Sequence, residues 1–354
     1  MPIVITDEDA QRLLSIPEAV EAMRVAFRDL SEGRAANPPR LRYSLDLPEA
    51  KRKYFANIHA GAVASFNAAC VRAGSHFTAL ETTGSDATRK SYADPSPVNW
   101  TIIILYDLAS GEPLAFMHET HLSGFRVGAT SALAVAQGAR DDAEVLGVFG
   151  TGGQAHPGCR AICSVRPIKK VRVFSPNPEH RKDFVAKFAG APYQVVAVDD
   201  PREVVRGAHI VCCATNSRVP VFDGSWLEDG QMVITIANSD VLNARHEVDE
   251  TTFARASDII INDWDSVVAN RQVELLTPIE KGLVRREDVH ELGDVVAGKA
   301  KLRRDPGKIV YYKNNTGLAM QFAACGAILH KKLIAAGTNR TIPKEWFAGG
   351  KYGI

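Results

Sequence analysis

From position 145 onward the chain alternates apolar runs of strand length with stretches of helical periodicity. No other feature restricts its fold so tightly. Strand-type runs stand at Val145–Phe149, Lys170–Phe174, 194–198, 210–214, 232–236 and 258–261, with helical stretches at 154–164, 178–188 and 200–206 between the first four. A strand that is apolar throughout must be buried on both faces, and a parallel neighbour is reached only through a crossover. The alternation therefore predicts a parallel sheet covered by helices on both sides and wound by right-handed crossovers, a doubly wound α/β domain. An Ala-rich helix at 127–139 precedes it, and the chain changes character near Gly124.

The first of these strands runs into Val148-Phe149-Gly150-Thr151-Gly152-Gly153-Gln154-Ala155, a G-x-G-x-x-A pattern that opens a helix. Between a buried strand and a helix the pattern has a mechanical meaning. Gly150 makes the tight turn, Gly152 lets backbone approach a pyrophosphate, and Ala155 permits close helix–strand packing. The phosphates would rest on unpaired N–H groups at the positive end of the helix. Gly150, Thr151, Gly152, Gly153, Gln154 and Ala155 are the expected dinucleotide loop, and Thr215, just past the fourth strand, joins them. The second strand ends Phe174-Ser175-Pro176-Asn177 with no carboxylate to hold a ribose 2′-hydroxyl. Ser175, Asn177 and Arg181 would instead surround a 2′-phosphate, which leans the expectation from NAD(H) towards NADP(H). The plainer alternative makes Arg181 a solvated helix residue.

The first third is mixed α and β. Ser15-Ile16-Pro17-Glu18 starts a helix that Gly33 ends. Strand-type runs follow at Leu41–Leu47, 76–80 and 100–108, with a Gly- and Pro-containing surface loop at 82–97. Tyr106-Asp107-Leu108-Ala109-Ser110-Gly111 turns into a hairpin partner at 112–117. An apolar helical run at 315–336 lies beyond the last sheet strand and should pack back on the first domain.

With 354 residues the chain exceeds what one core comfortably holds, so two domains are expected. A net charge of +1 with scattered cations argues against nucleic acid or an anionic membrane as partner. No apolar run approaches a membrane span, and the acidic start MPIVITDEDAQRLL is unlike a signal peptide, which predicts a cytoplasmic protein. The six cysteines include no C-x-x-C, and Cys159 and Cys163 lack further ligands at metal spacing; reduced thiols and no metal site are expected.

Leu122-Ser123-Gly124-Phe125-Arg126-Val127-Gly128-Ala129-Thr130-Ser131-Ala132-Leu133-Ala134, followed by the glycine motif, resembles the signature of the ornithine cyclodeaminase/mu-crystallin family. The hairpin at 107–117, His290-Glu291-Leu292-Gly293-Asp294-Val295-Val296-Ala297-Gly298-Lys299 and the segment 313–319 agree with it in order. The resemblance implies a Rossmann domain at 123–311 inserted in an α+β substrate and dimerisation domain made of 1–122 and 312–354, with the site between them in a homodimer. It also implies that Arg126 binds a substrate α-carboxylate, as a bidentate fork can. Arg40 falls near a second carboxylate-binding arginine, with Arg42 as rival. Where the cyclodeaminases carry an acid–base lysine, this chain has Arg72, which cannot exchange a proton near neutrality but can bind substrate. The family's catalytic aspartate falls near Ser239 or Asp240, of which Asp240 is the carboxylate.

The implied activity is an NAD(P)H-dependent reduction of an α-imino acid, reversible as an amino-acid dehydrogenase. His76 or a bound water are further candidates to hold the proton; His59 and His76 both fall in the substrate domain, where a lone histidine is more often structural. A cyclodeaminase and a non-catalytic binding or accessory subunit, such as an amine oxidase partner, remain as alternatives.

Overall fold

In the computed structural model the described residues are 1–79, 100–239, 244–305, 307–314 and 317–349. The loop expected at 82–97 lies outside them, as does Asp240. None of the described helices is long and apolar enough to cross a membrane.

The chain builds two sheets. The first contains β1 (Ile3–Ile5), β2 (Ala35–Ala36), β3 (Leu41–Leu47), β4 (Arg52–Val63), β5 (Ala68–Ala79), β6 (Trp100–Asp107) and β7 (Pro113–His118), in the order β1-β7-β6-β5-β4-β2 with β3 also on β4. Apart from the parallel pair β1–β7 its ladders are antiparallel. The second sheet has β8 (Val145–Phe149), β9 (Lys170–Phe174), β10 (Gln194–Ala197), β11 (Ile210–Cys213), β12 (Met232–Thr235), β13 (Ala256–Ile261), β14 (Val289–Glu291) and β15 (Ile309–Lys313). Its order is β10-β9-β8-β11-β12-β15-β13-β14, parallel throughout, as expected. The strand order reverses between β8 and β11, where a doubly wound sheet opens a crevice at the carboxyl ends of its strands. β15 spans positions 311 and 312, so the boundary expected there falls inside a strand.

Burial follows the two patterns. In the second sheet, β11, β12 and β15 are buried at every position. β6 alternates instead: Ile103 and Leu105 are fully buried while Ile102 is 55% exposed. One face of the first sheet is covered by α2 (Ile16–Ser31) and the C-terminal helix Ala319–Ala335, as the apolar tail predicted. That helix lies so close to β4 that a Cβ on Gly61 would stand 2.6 Å from the Met320 backbone nitrogen. Both N-terminal helices, α1 (Asp7–Leu13) and α2, start with a capping box, on Thr6/Asp9 and Ser15/Glu18.

α3 (Thr120–Gly138) begins seven residues earlier than expected. Gly124 and Gly128 do not break it, because both are needed to let α4 (Ala155–Val165) approach. A Cβ on Gly128 would stand 2.7 Å from the Pro157 carbonyl oxygen, and one on Gly124 3.1 Å from that of Gly153. Tertiary contact here outweighs the low helix propensity of glycine.

Candidate active site

A cleft of about 1320 Å³ opens at the carboxyl ends of β8, β9, β11, β12 and β15, larger than the pocket of a single small ligand. At one end lies the glycine loop. Gly150 has φ +98°, and a Cβ there would meet the Ala214 carbonyl oxygen at 2.3 Å, so only glycine fits. Gly152 and Gly153 differ: a Cβ on either would meet nothing within 4 Å. They line open space that a ligand backbone-close to the loop can use. No side chain caps the first turn of α4, and Gln154 Oε1 is buried without a partner. Gly150–Gln154 line the cleft at the start of α4, where the positive end of the helix suits a phosphate. These features fit a dinucleotide. Ala155 is buried behind the loop, as close packing requires.

The expected 2′-phosphate group comes apart. Ser175 reaches the cleft. Asn177 instead caps the helix α5 (Pro178–Ala186), accepting from the Glu179 N–H at 2.9 Å. Arg181 is drawn inward: it donates to the Ser175 carbonyl at 2.9 Å and to Asp199 at 2.5 Å, under the Phe174 ring. Neither residue is among those lining the cleft, where His180 and Lys187 stand nearby instead. Arg181 is not a solvated helix residue either, since it is 8% exposed. Its position one turn into α5 turns it under the sheet edge.

Arg126 and Arg40 line the other end. Arg126, on the second turn of α3, is 8% exposed. It donates to Gln321 Oε1 at 2.7 Å, lies 4.9 Å from the Phe322 ring centroid, and leaves Nε without a partner. Gln321 is held in turn by Thr130, whose hydroxyl donates to the Arg126 carbonyl. Burial lowers the Arg126 guanidinium to about 10, so it remains charged at neutral pH. A buried cation bonded to a neutral amide is an anion site by construction. Arg40 reaches across from the loop after β2 to Asn270 and Asn238, at 2.8 and 2.6 Å. Arg42 bonds Asn57 and does not line the cleft.

Arg72, expected to bind substrate, keeps Nε and Nη1 buried without a partner. It donates to Glu119 at 2.7 Å and is not among the residues lining the cleft. Its β5 position opposite His59 and Ile103 aims it at the start of α3, where Glu119 is buried. His59 is buried, and burial together with Arg72 and Arg40 holds its imidazole well below the usual range. Its Nδ1 donates to the Gly317 carbonyl at 2.6 Å, so it is a neutral fixture of the chamber wall. His76 stacks on Phe55. Ser239 is turned into the interior by Gln272.

Thr215 lines the cleft as expected. Gln321, Asn238, Asn270 and Glu119 were not foreseen as site residues; each acts through an arginine that was. Also unforeseen is a buried group behind the cleft: Glu247, Glu274 and Lys313, each at most 1% exposed.

The ornithine cyclodeaminase/mu-crystallin family model matches residues 2–336. A Δ1-pyrroline-2-carboxylate reductase of Bacillus cereus is 29% identical over 245 residues, 68% of this chain and 73% of that one. An alanine dehydrogenase of Archaeoglobus fulgidus is 25% identical over 341 residues, 96% of this chain and 98% of that one. The fold superposes on a Thermococcus litoralis Δ1-pyrroline-2-carboxylate reductase, solved with NADH and L-proline, with TM-score 0.81 and 26% identity over 96% of this chain and 100% of that one. With a match this long and ordered, the chain belongs to the ornithine cyclodeaminase/mu-crystallin family.

Proposed function

We propose that this protein is an NAD(P)H-dependent reductase of an α-imino acid, working in reverse as an amino-acid dehydrogenase. The observation that carries the reading is a single cleft with a phosphate-accepting glycine loop at one end and the buried Arg126 at the other. Relatives named as pyrroline-carboxylate reductase and alanine dehydrogenase support it. Arg126, with Arg40 beside it, holds the substrate carboxylate and so orients the imine carbon; the remaining cost is mainly positional. A bound nicotinamide supplies the hydride. Arg72 stays with Glu119 and steadies the charge of the chamber. Asp240 is the proposed proton-holding carboxylate at the substrate nitrogen.

Cyclodeamination asks more, since a group must accept and return protons while an internal amine attacks and ammonia leaves. Arg72 cannot do this and His59 is committed to Gly317. We therefore place the reductase first. Between the cofactors we favour NAD(H), because Arg181 and Asn177 are engaged elsewhere. The inserted Rossmann unit is proposed to extend through Lys313, flanked by the substrate and dimerisation unit. Homodimerisation is proposed through the outer face of the first sheet, where Trp100 and Ile102 are 68% and 55% exposed.

The test is an NADH and NADPH oxidation screen against cyclic imino acids and against 2-oxo acids with ammonia or methylamine. Stoichiometric oxidation with an imino acid is expected. Proline and ammonia released from ornithine with only catalytic NAD would move the assignment to a cyclodeaminase.

A further inference from the structure

The two walls of the cleft that follow β11 and β12 are joined by one side chain that does not face it. Glu247 is 0% exposed. One carboxylate oxygen accepts from the Thr215 N–H and hydroxyl, at 2.6 and 2.8 Å. The other accepts from the N–H groups of Ile236 and Ala237, at 2.8 and 2.7 Å. Thr215, Ile236 and Ala237 all line the cleft. The Glu247 carbonyl also holds the N–H of Val221, another lining residue, at 3.0 Å. Where parallel strands part to open a crevice, their N–H groups run out of ladder partners: the Ile236 N–H is shared with the Cys213 carbonyl at 3.1 Å, and Glu247 takes the next one, that of Ala237. An ionised carboxylate has about four acceptor sites to give. Behind it, Glu274 accepts from the Glu247 N–H at 2.5 Å and pairs with Lys313, whose ammonium also donates to the Ala237 carbonyl at 2.7 Å. The same loop residue is thus held from both sides.

We infer that Glu247 is a positioning residue for the cofactor: as a carboxylate accepting four hydrogen bonds it fixes the spacing of the β11 and β12 loops, and dinucleotide affinity depends on it. The inference rests on the dinucleotide reading of the cleft. Only the ionised form accepts all four bonds; a protonated or amide form turns a donor against backbone N–H groups. The groups around Glu247 are Glu274 from the helix Val273–Glu280, Lys313 and Tyr311 from β15, and Cys212 and Cys213 from β11. Burial first, then Glu274, raises Glu247 to about 7, against the pull of Lys313 and its backbone donors. Loss of the ionised form therefore falls within an accessible pH range.

The experiment measures NADH affinity by fluorescence titration from pH 6 to 8 for the wild type and Glu247→Gln, with steady-state kinetics at pH 8. Wild-type affinity should weaken about ten-fold from pH 8 to 6, as one proton titrating near 7 gives when the protonated form does not bind. Glu247→Gln should bind about ten-fold or more weakly at pH 8, with no slope over this range, and keep kcat within a few-fold at saturating NADH. A merely structural glutamate would lower the melting temperature but leave the pH slope in place. A variant within two-fold of wild type at pH 8 overturns the inference. Should Glu247→Gln not fold, Glu247→Asp, which keeps the charge but is one methylene too short to span both loops, is measured in its place, and affinity within two-fold of wild type overturns the inference. Wild type that binds neither NADH nor NADPH at any pH removes the dinucleotide reading and this inference together, whereas wild type and variant that bind NADH equally tightly remove this inference only.

Discussion

The two ends of the cleft are made of different material. The glycine end is backbone: one contiguous segment, a positive φ at Gly150, two glycines facing open space and an uncapped helix. The arginine end is side chain: Arg126 from α3, Arg40 from the loop after β2, and supports at Gln321, Asn238 and Asn270, far apart in the chain. A site made of backbone tolerates no added atoms but has few side chains to lose. One made of long side chains tolerates reshaping but fails when a single charge is removed. The first should respond to substitutions that add volume, the second to those that delete charge.

The largest expected effect is at Arg126. Arg126→Ala should lower kcat/KM by about 3–5 kcal/mol, the range for losing one partner of a desolvated charge pair, while NADH affinity stays near wild type. If turnover of an imino acid survives within a few-fold, Arg126 is structural and the division between the two ends collapses. Next is Gly152→Val. Its side chain would enter open space, so the variant should fold, yet NADH affinity should drop about a hundred-fold, some 2.7 kcal/mol. Calorimetry showing unchanged affinity would take the pyrophosphate away from this loop. Arg40→Ala should be milder, about 1.5–3 kcal/mol and mostly in KM, since Arg40 makes charge-assisted bonds at the same end. An effect exceeding that of Arg126→Ala would exchange their roles. Smallest is Arg181→Ala. Its partner Asp199 is 95% exposed on the side chain, so the pair contributes at most about 1 kcal/mol to stability. The NADH-to-NADPH preference should shift by less than about three-fold; a selective loss of NADPH use would restore the 2′-phosphate reading.

The same contrast explains what could be read from the sequence. The parallel sheet and the glycine loop follow from local pattern, because strand burial, crossover length and glycine spacing are all properties of neighbouring residues. Arg126 was accessible through a motif. The failures are long-range. The partner of Arg72, Glu119, stands forty-seven positions away and could not be read from the sequence. Arg181 looked like a phosphate ligand until Asp199, on the far side of β10, claimed it. Glu247 takes its four bonds from the segments that follow β11 and β12, two strands that only the sheet order brings together. Gly124 misled in the other direction: it reads as a helix boundary, yet it lies inside α3, because α4 must come close.

That contact between α3 and α4 has a mechanical result. One helix bears Arg126, the proposed carboxylate anchor, and the other opens at the loop proposed to take the phosphates; at Gly128 and Pro157 their main chains meet with no room for a methyl group. Under the proposed function, the separation between electron donor and acceptor would be a ruler cut when the chain folds, rather than a gap adjusted in each turnover. Any jaw-like closure has to be carried by elements that come to the cleft from elsewhere, such as the segment bearing Arg40. The α3–α4 pair should superpose unchanged in empty and loaded enzyme.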